Sequence, residues 1–121
     1  MSGSKSRRKG HAFERRIAND LGAAGYDAKR CLTEVREGNQ GDIEFGDGTP
    51  LTIQCKCYEK VAPWRRAVRE AEEAARPRNH YAVAITKVNN DEAIAHIPWH
   101  DLLEILGMTD VRYALQANRA G

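Results

Sequence analysis

Asp42, Gln54 and Lys56 are residues whose types and spacing can do chemistry together. Residues 51–58 alternate, with Leu51, Ile53, Cys55 and Cys57 to one side and Thr52, Gln54, Lys56 and Tyr58 to the other. As a strand, this segment projects Gln54 and Lys56 from a single face. Asp42 opens the preceding apolar stretch, Asp42-Ile43-Glu44-Phe45, and Gly46-Asp47-Gly48-Thr49 supplies hairpin-turn chemistry between the two. An antiparallel return centred on that turn sets residue 42 level with residues 52–54. A carboxylate, a carboxamide oxygen and an ammonium then share one small space.

That grouping suits phosphodiester hydrolysis. A hard divalent cation such as Mg²⁺ takes oxygen ligands in octahedral geometry, commonly one or two carboxylates with water and phosphate. It acidifies a bound water and stabilises charge growing at phosphorus. A lysine beside it orients or deprotonates the water and holds the phosphate, and burial near a cation favours its neutral form. Glu14 is the natural fourth member, because it follows Phe13 at the border of a helical apolar stripe. Arg15 and Arg16 come next and can meet backbone phosphates. Taken singly, Asp42 after Gly41 also reads as a turn residue, and Lys56 as an exposed strand lysine.

The elements that must position these groups follow from periodicity. Residues 9–24 carry Phe13, Ile17, Leu21 and Ala24 at helical spacing, and Gly25 is the expected stop. Residues 26–32 read as a first strand and residues 33–41, polar with two glycines, as a loop. After the two strands of the expected hairpin, Pro63 suits the first turn of a second helix to Ala75. Trp64, Ala67, Val68, Ala71 and Ala75 form its apolar stripe, its charged residues a solvated face, and Pro77 its end. Residues 80–88 and 93–97 read as strands about an Asn89-Asn90-Asp91 turn. A last helix starts at His100 or Asp101 and is closed by Gly107. Residues 108–121 carry no firm signal, although Val111, Tyr113 and Leu115 can pack if helical. The order is α-β-β-β-α-β, then a short strand and a helix, which implies a mixed sheet flanked by helices.

Composition bounds the function. A chain of 121 residues, 41% hydrophobic and 30% charged, is that of one ordinary globular domain. No apolar run approaches the roughly 18–20 residues that cross a bilayer. The opening residues lack the apolar core of a secretory signal, so a cytoplasmic setting is expected. Cys31, Cys55 and Cys57 cannot all pair within one chain, and Cys55 and Cys57 are too close for a zinc knuckle. Reduced structural thiols are expected, two of them in the core. The net charge of +2 hides an asymmetry: residues 1–30 hold eight Lys or Arg against three acids, a net +5, leaving −3 for the rest. A basic N-terminal third suits a polyanion such as a nucleic-acid backbone, although a solvated basic tail reads the same way. Residues 1–8 are expected as a flexible basic arm, 9–107 as a single catalytic domain and 108–121 as a tail of unassigned structure. His96 and His100 are four apart, but Pro98 separates them and structural roles are expected. His11 reads as a surface residue.

The segment Lys9-Gly10-His11-Ala12-Phe13-Glu14-Arg15-Arg16 resembles the opening helix of archaeal-type Holliday junction resolvases. With Gly41-Asp42-Ile43 and Ile53-Gln54-Cys55-Lys56 it is similar to the wider PD-(D/E)XK nuclease superfamily, whose αβββαβ order residues 9–98 follow. The resemblance implies an α/β restriction-endonuclease-like core. It implies that Glu14, Asp42 and Gln54 bind Mg²⁺, with the Cys55 carbonyl assisting and Mn²⁺ able to substitute. It also implies that Lys56 serves the attacking water and that Arg15 contacts phosphate. Arg7, Arg8, Lys9, Arg16, Lys29, Arg30 and Arg36 are the further candidates for DNA contact.

There is one departure, since the family usually carries an acid where this chain has Gln54. Glutamine keeps an oxygen ligand but removes a full charge, and Mrr-like restriction nucleases in the superfamily carry Gln-x-Lys. Glu44, two residues from Asp42, is a candidate to restore the charge. The leading expectation is a homodimeric, metal-dependent endonuclease that resolves four-way junctions by paired symmetric nicks. A restriction-like, repair or general nicking nuclease acting on duplex DNA is the alternative, and a DNA-binding module without catalysis is a third.

Overall fold

The first helix buries most of the stripe that its spacing predicts: Phe13 and Ile17 are buried with Leu21 packed beside them and Ala18 joining, whereas Ala24 lies past the helix end and is exposed. The computed structural model describes residues 2–32 and 41–109. In chain order the elements are α1 (Ser2–Ala23), β1 (Ala28–Arg30), β2 (Ile43–Phe45), β3 (Leu51–Tyr58), α2 (Trp64–Ala75), β4 (Tyr81–Val88), β5 (Ile94–His96) and α3 (Trp99–Met108). This is the expected order. Helix α1 starts earlier than its apolar pattern does. Residues 2–8, expected as a flexible arm, form its first turns. Serine, lysine and arginine extend a helix nucleated further on at little cost, and no proline interrupts them. Gly25 ends the helix at φ +101°, and the Tyr26 N–H donates to the Leu21 carbonyl at 3.0 Å.

Strand pairing corrects the expected hairpin. β2 pairs antiparallel with β1, setting Lys29 opposite Glu44, rather than forming a ladder with β3. β3 instead pairs parallel with β4 along its whole length, and β4 pairs antiparallel with β5. A two-stranded ribbon therefore sits beside a three-stranded mixed sheet, β3-β4-β5. The parallel pair is joined through α2, as parallel strands require. Residues 42 and 53 are nevertheless level, as the hairpin reading expected. The Asp42 N–H donates to the Ile53 carbonyl at 2.8 Å.

The two faces of the mixed sheet bury different helices. Ile53 and Val83 pack with Phe13, Ile17 and Ile43, and the half-buried Cys55, Cys57 and Ile85 join them. On the opposite face Ala67, Ala71 and Ala75 of α2 meet Ala82 and Ala84 of β4. Alanine on alanine brings the helix backbone close to the sheet. Trp64 leaves the expected stripe: it is half exposed and stacks on His96, with ring centroids 5.9 Å apart. The Arg65 guanidinium lies 4.9 Å from the Trp64 ring centre.

The last helix is longer than expected and runs through Gly107 instead of stopping there. It has no buried residue, and Trp99, Leu103, Leu106 and Met108 are exposed. Its anchor is polar: Asp101 accepts from the Ala82 N–H at 2.9 Å. β5 covers β4 only from Ala84 onward, so this carboxylate satisfies an edge donor that no strand reaches. Residues 110–121 of the expected tail lie outside the described residues, as does most of the 33–41 loop. Cys31 is buried, and Cys55 and Cys57 are half-buried free thiols. Among the described residues no helix is long and apolar enough to cross a membrane.

Candidate active site

Asp42 is clamped between the ribbon and the sheet. Its N–H donates to Ile53, its carbonyl accepts from the Cys31 N–H at 2.9 Å, and its carboxylate accepts from the Cys55 N–H at 2.7 Å. The side chain is 6% exposed. The approach depends on Gly41, which has φ +80° and would carry a Cβ 3.0 Å from the Ile53 carbonyl oxygen and 3.2 Å from the Thr52 methyl. Any side chain there forces the two backbones apart.

Glu14 reaches the same place from α1 and is equally buried. The Cys55 thiol reports both acids. Burial pushes it well above the ordinary thiol range, and the charges of Asp42 and then Glu14 push it further. Burial likewise raises the Cys57 thiol; the Lys9 and Lys87 ammoniums oppose that shift and Glu14 adds to it. Glu14, midway along α1, thus lies within electrostatic reach of both thiols.

Gln54 and Lys56 project to the other side of β3, towards α2. Gln54 is 4% exposed. The Lys56 ammonium lies 3.0 Å from the Glu70 carboxylate of α2, with both side chains more than half buried. The carboxylates thus meet β3 at Ile53–Cys55 from the α1 side, whereas the amide and the ammonium project from its opposite face towards α2. In a strand the N–H and C=O of one residue point to one edge, so the Cys55 carbonyl is aimed towards the edge that Asp42 occupies.

These donors fit a hard cation. Two carboxylates, a carboxamide and a backbone carbonyl are the oxygen ligands that Mg²⁺ takes, and the protonated Cys55 thiol does not compete with them. Among the described residues no three His, Cys, Asp or Glu side chains converge tightly enough to hold a metal by themselves. The non-carboxylate oxygens of Gln54 and Cys55 would have to complete the set. Glu44 does not restore the missing charge: it is exposed and lines a cleft of about 260 Å³ with Thr49, Arg78 and His80.

The basic candidates divide. Arg8, Lys9, Arg15, Arg16 and Lys29 are exposed. Arg16 lies 3.8 Å from Asp20, and Lys9 donates to the Asn89 side chain. Arg30 is half-buried, and one of its guanidinium nitrogens is enclosed with no hydrogen-bond partner among the described residues. Arg7 belongs to α1, but its side chain lies outside the description, and Arg36 lies outside the described residues altogether. His96 and His100 are unrelated to each other: His96 bonds the Thr86 hydroxyl at 2.9 Å, and His100 faces Glu104 at 3.3 Å. His11 is exposed. Glu70 is the residue sequence reasoning passed over. It sits on a helix face read as merely solvated, and fourteen positions separate it from the lysine it meets.

No family model and no curated protein matches the chain. Among solved structures it is similar to Hjc, a Holliday junction resolvase from the archaeal hyperthermophile Archaeoglobus fulgidus. The TM-score is 0.53 and the identity 24%, over 74% of this chain and 72% of that one. This likeness extends to the fold: helices flank a mixed sheet as in that nuclease, and the αβββαβ core is the one the motifs imply.

Proposed function

We propose that this chain is a metal-dependent endonuclease that cuts four-way DNA junctions by paired, symmetric nicks. The observation that carries the reading is the convergence of two buried carboxylates, Glu14 and Asp42, on Cys55 at the edge of β3. Burying two acids together is costly unless a cation offsets their charge. The resolvase-like fold agrees with it.

In this mechanism Glu14, Asp42, the Gln54 carboxamide and the Cys55 carbonyl hold Mg²⁺, with Mn²⁺ able to substitute. The chemistry such an ion supplies when bound is polarisation of the scissile phosphate and acidification of the attacking water. Lys56 holds and orients that water through its Nζ and takes part of the phosphate charge. Arg15, exposed one residue after Glu14, binds a flanking phosphate, and Arg8, Lys9, Arg16 and Lys29 extend the contact along the backbone. Paired nicks need two sites related by a twofold axis, so the active form is a homodimer. A DNA substrate places the protein inside the cell.

A second reading keeps the chemistry and changes the substrate to linear duplex, as a restriction-like or repair nuclease. The observation that favours it is the neutral amide at position 54, which the Mrr-like branch shares. Cleavage of a labelled four-way junction and a matched duplex, each with Mg²⁺ or EDTA, separates the two. Metal-dependent paired nicks confined to the junction are expected. Equal cutting of both substrates selects the second reading, and binding without any cutting makes the chain a DNA-binding module and overturns both.

A further inference from the structure

Position 54 carries an uncharged amide on the strand face that Lys56 shares, so that face of β3 supplies the ammonium with no acid. The acid comes from α2 instead. Glu70 Oε2 lies 3.0 Å from Lys56 Nζ, and both side chains are little more than a third exposed. Its reach depends on the alanines around it. Ala67 and Ala71 are fully enclosed against Ala82 and Ala84, which draws α2 onto the sheet and brings Glu70 over the polar face of β3. Bulkier residues at 67 and 71 would hold the helix too far out. Glu70 also faces Arg66 at 3.8 Å, and the Tyr58 phenol two residues past Lys56 completes a compact polar cluster.

A half-exposed ion pair contributes on the order of 1 kcal/mol or less to stability, so stability does not account for this placement. Orientation does. A lysine ammonium on a flexible four-carbon stem needs a fixed anion to hold it at one point. We infer that Glu70 is the positioning residue for Lys56, holding its ammonium from α2. The inference rests on the nuclease reading above and adds to it a residue that the strand motifs do not contain.

The test uses the full chain, with Glu70→Gln and Glu70→Asp, on whichever DNA the wild type cuts. Glu70→Gln is expected to cut roughly 10- to 100-fold more slowly at saturating DNA and Mg²⁺. In EDTA it binds DNA as tightly as the wild type or more tightly, because the lost charge frees Lys56 and Arg66 for phosphate. Glu70→Asp, which keeps the charge, keeps most of the rate. Wild-type cutting by Glu70→Gln overturns the inference and leaves the nuclease reading standing. Weaker binding and slower cutting together, with a lowered melting temperature, mark a structural ion pair and also overturn it. A wild type that never cuts overturns the nuclease reading itself, and the inference with it.

Discussion

The Asp42 carboxylate accepts the Cys55 backbone N–H at 2.7 Å, while the Asp42 N–H donates to the Ile53 carbonyl at 2.8 Å. One residue thereby takes two neighbouring hydrogen-bonding positions, the Ile53 carbonyl and the Cys55 N–H, on the edge of β3 that β4 leaves open. The carboxylate is held in place by a backbone group. Its partner acid, Glu14, is fixed by the packing of α1 through Phe13 and Ile17. The site is built by two elements far apart in the chain, each anchored before any ligand arrives.

Asp42→Asn separates that structural role from the proposed chemical one. The amide oxygen still accepts from Cys55, so the fold and the exposed basic contacts persist. Cutting should fall by about 100-fold or more, as expected when a site loses a charged group acting at the transition state. Junction affinity in a gel-shift titration should stay unchanged. A variant that cuts at the wild-type rate removes Asp42 from the site.

Gly41→Ala should damage the site through the backbone alone. The added methyl meets the Ile53 carbonyl oxygen at 3.0 Å, in a conformation with φ +80° that an L-residue adopts only under strain. A loss of about 1–3 kcal/mol in urea unfolding is expected. Reduced cleavage should accompany it, because Asp42 moves with its neighbour. Full stability together with full activity would show that the β2–β3 approach tolerates a side chain.

Gln54→Glu adds a third carboxylate to a position that is 4% exposed. Without metal the variant should be less stable than the wild type, by about 1–3 kcal/mol, since a charge is added at a buried position. Mg²⁺ should restore the difference and support cleavage at a lower concentration than the wild type needs. Thermal melts with and without Mg²⁺, beside a Mg²⁺ titration of cleavage, read both effects. An unchanged metal requirement argues against residue 54 as a ligand.

The thiols make a prediction about pH. Burial raises Cys55 far above its ordinary value near 9, and raises Cys57 in the same direction. Both are therefore neutral in the folded chain where an unfolded chain has begun to ionise. Their contribution to stability is complete below about pH 9 and is lost as the pH climbs through the raised, folded-state values. Chemical denaturation at pH 7.5 and 10 should reveal the loss, and Cys55→Ala should lessen it. Equal losses in the wild type and the variant would assign the effect to other groups.

Much of this protein was legible in its sequence. Hydrophobic period is a local property, so the α-β-β-β-α-β order and the inward stripe of α1 could be read from spacing alone. The alternation of residues 51–58 likewise separated the core-facing thiols from Gln54 and Lys56. Glu14 and Asp42 could be nominated because each sits at the edge of such a pattern, and both prove to be buried beside Cys55.

Only the tertiary structure decided the rest. Which strand pairs with which is a contest between distant segments, and β4 took the length of β3 that the hairpin reading had given to β2. The helical start at Ser2 reflects extension from a nucleus packed further along α1, which polar residues do not advertise. Glu70 meets Lys56 because alanines bring α2 onto the sheet, and that closeness depends on the facing alanines of another strand. Spacing along a chain reports which face a side chain shares with its neighbours, whereas its partner across space is set by how closely two packed elements approach.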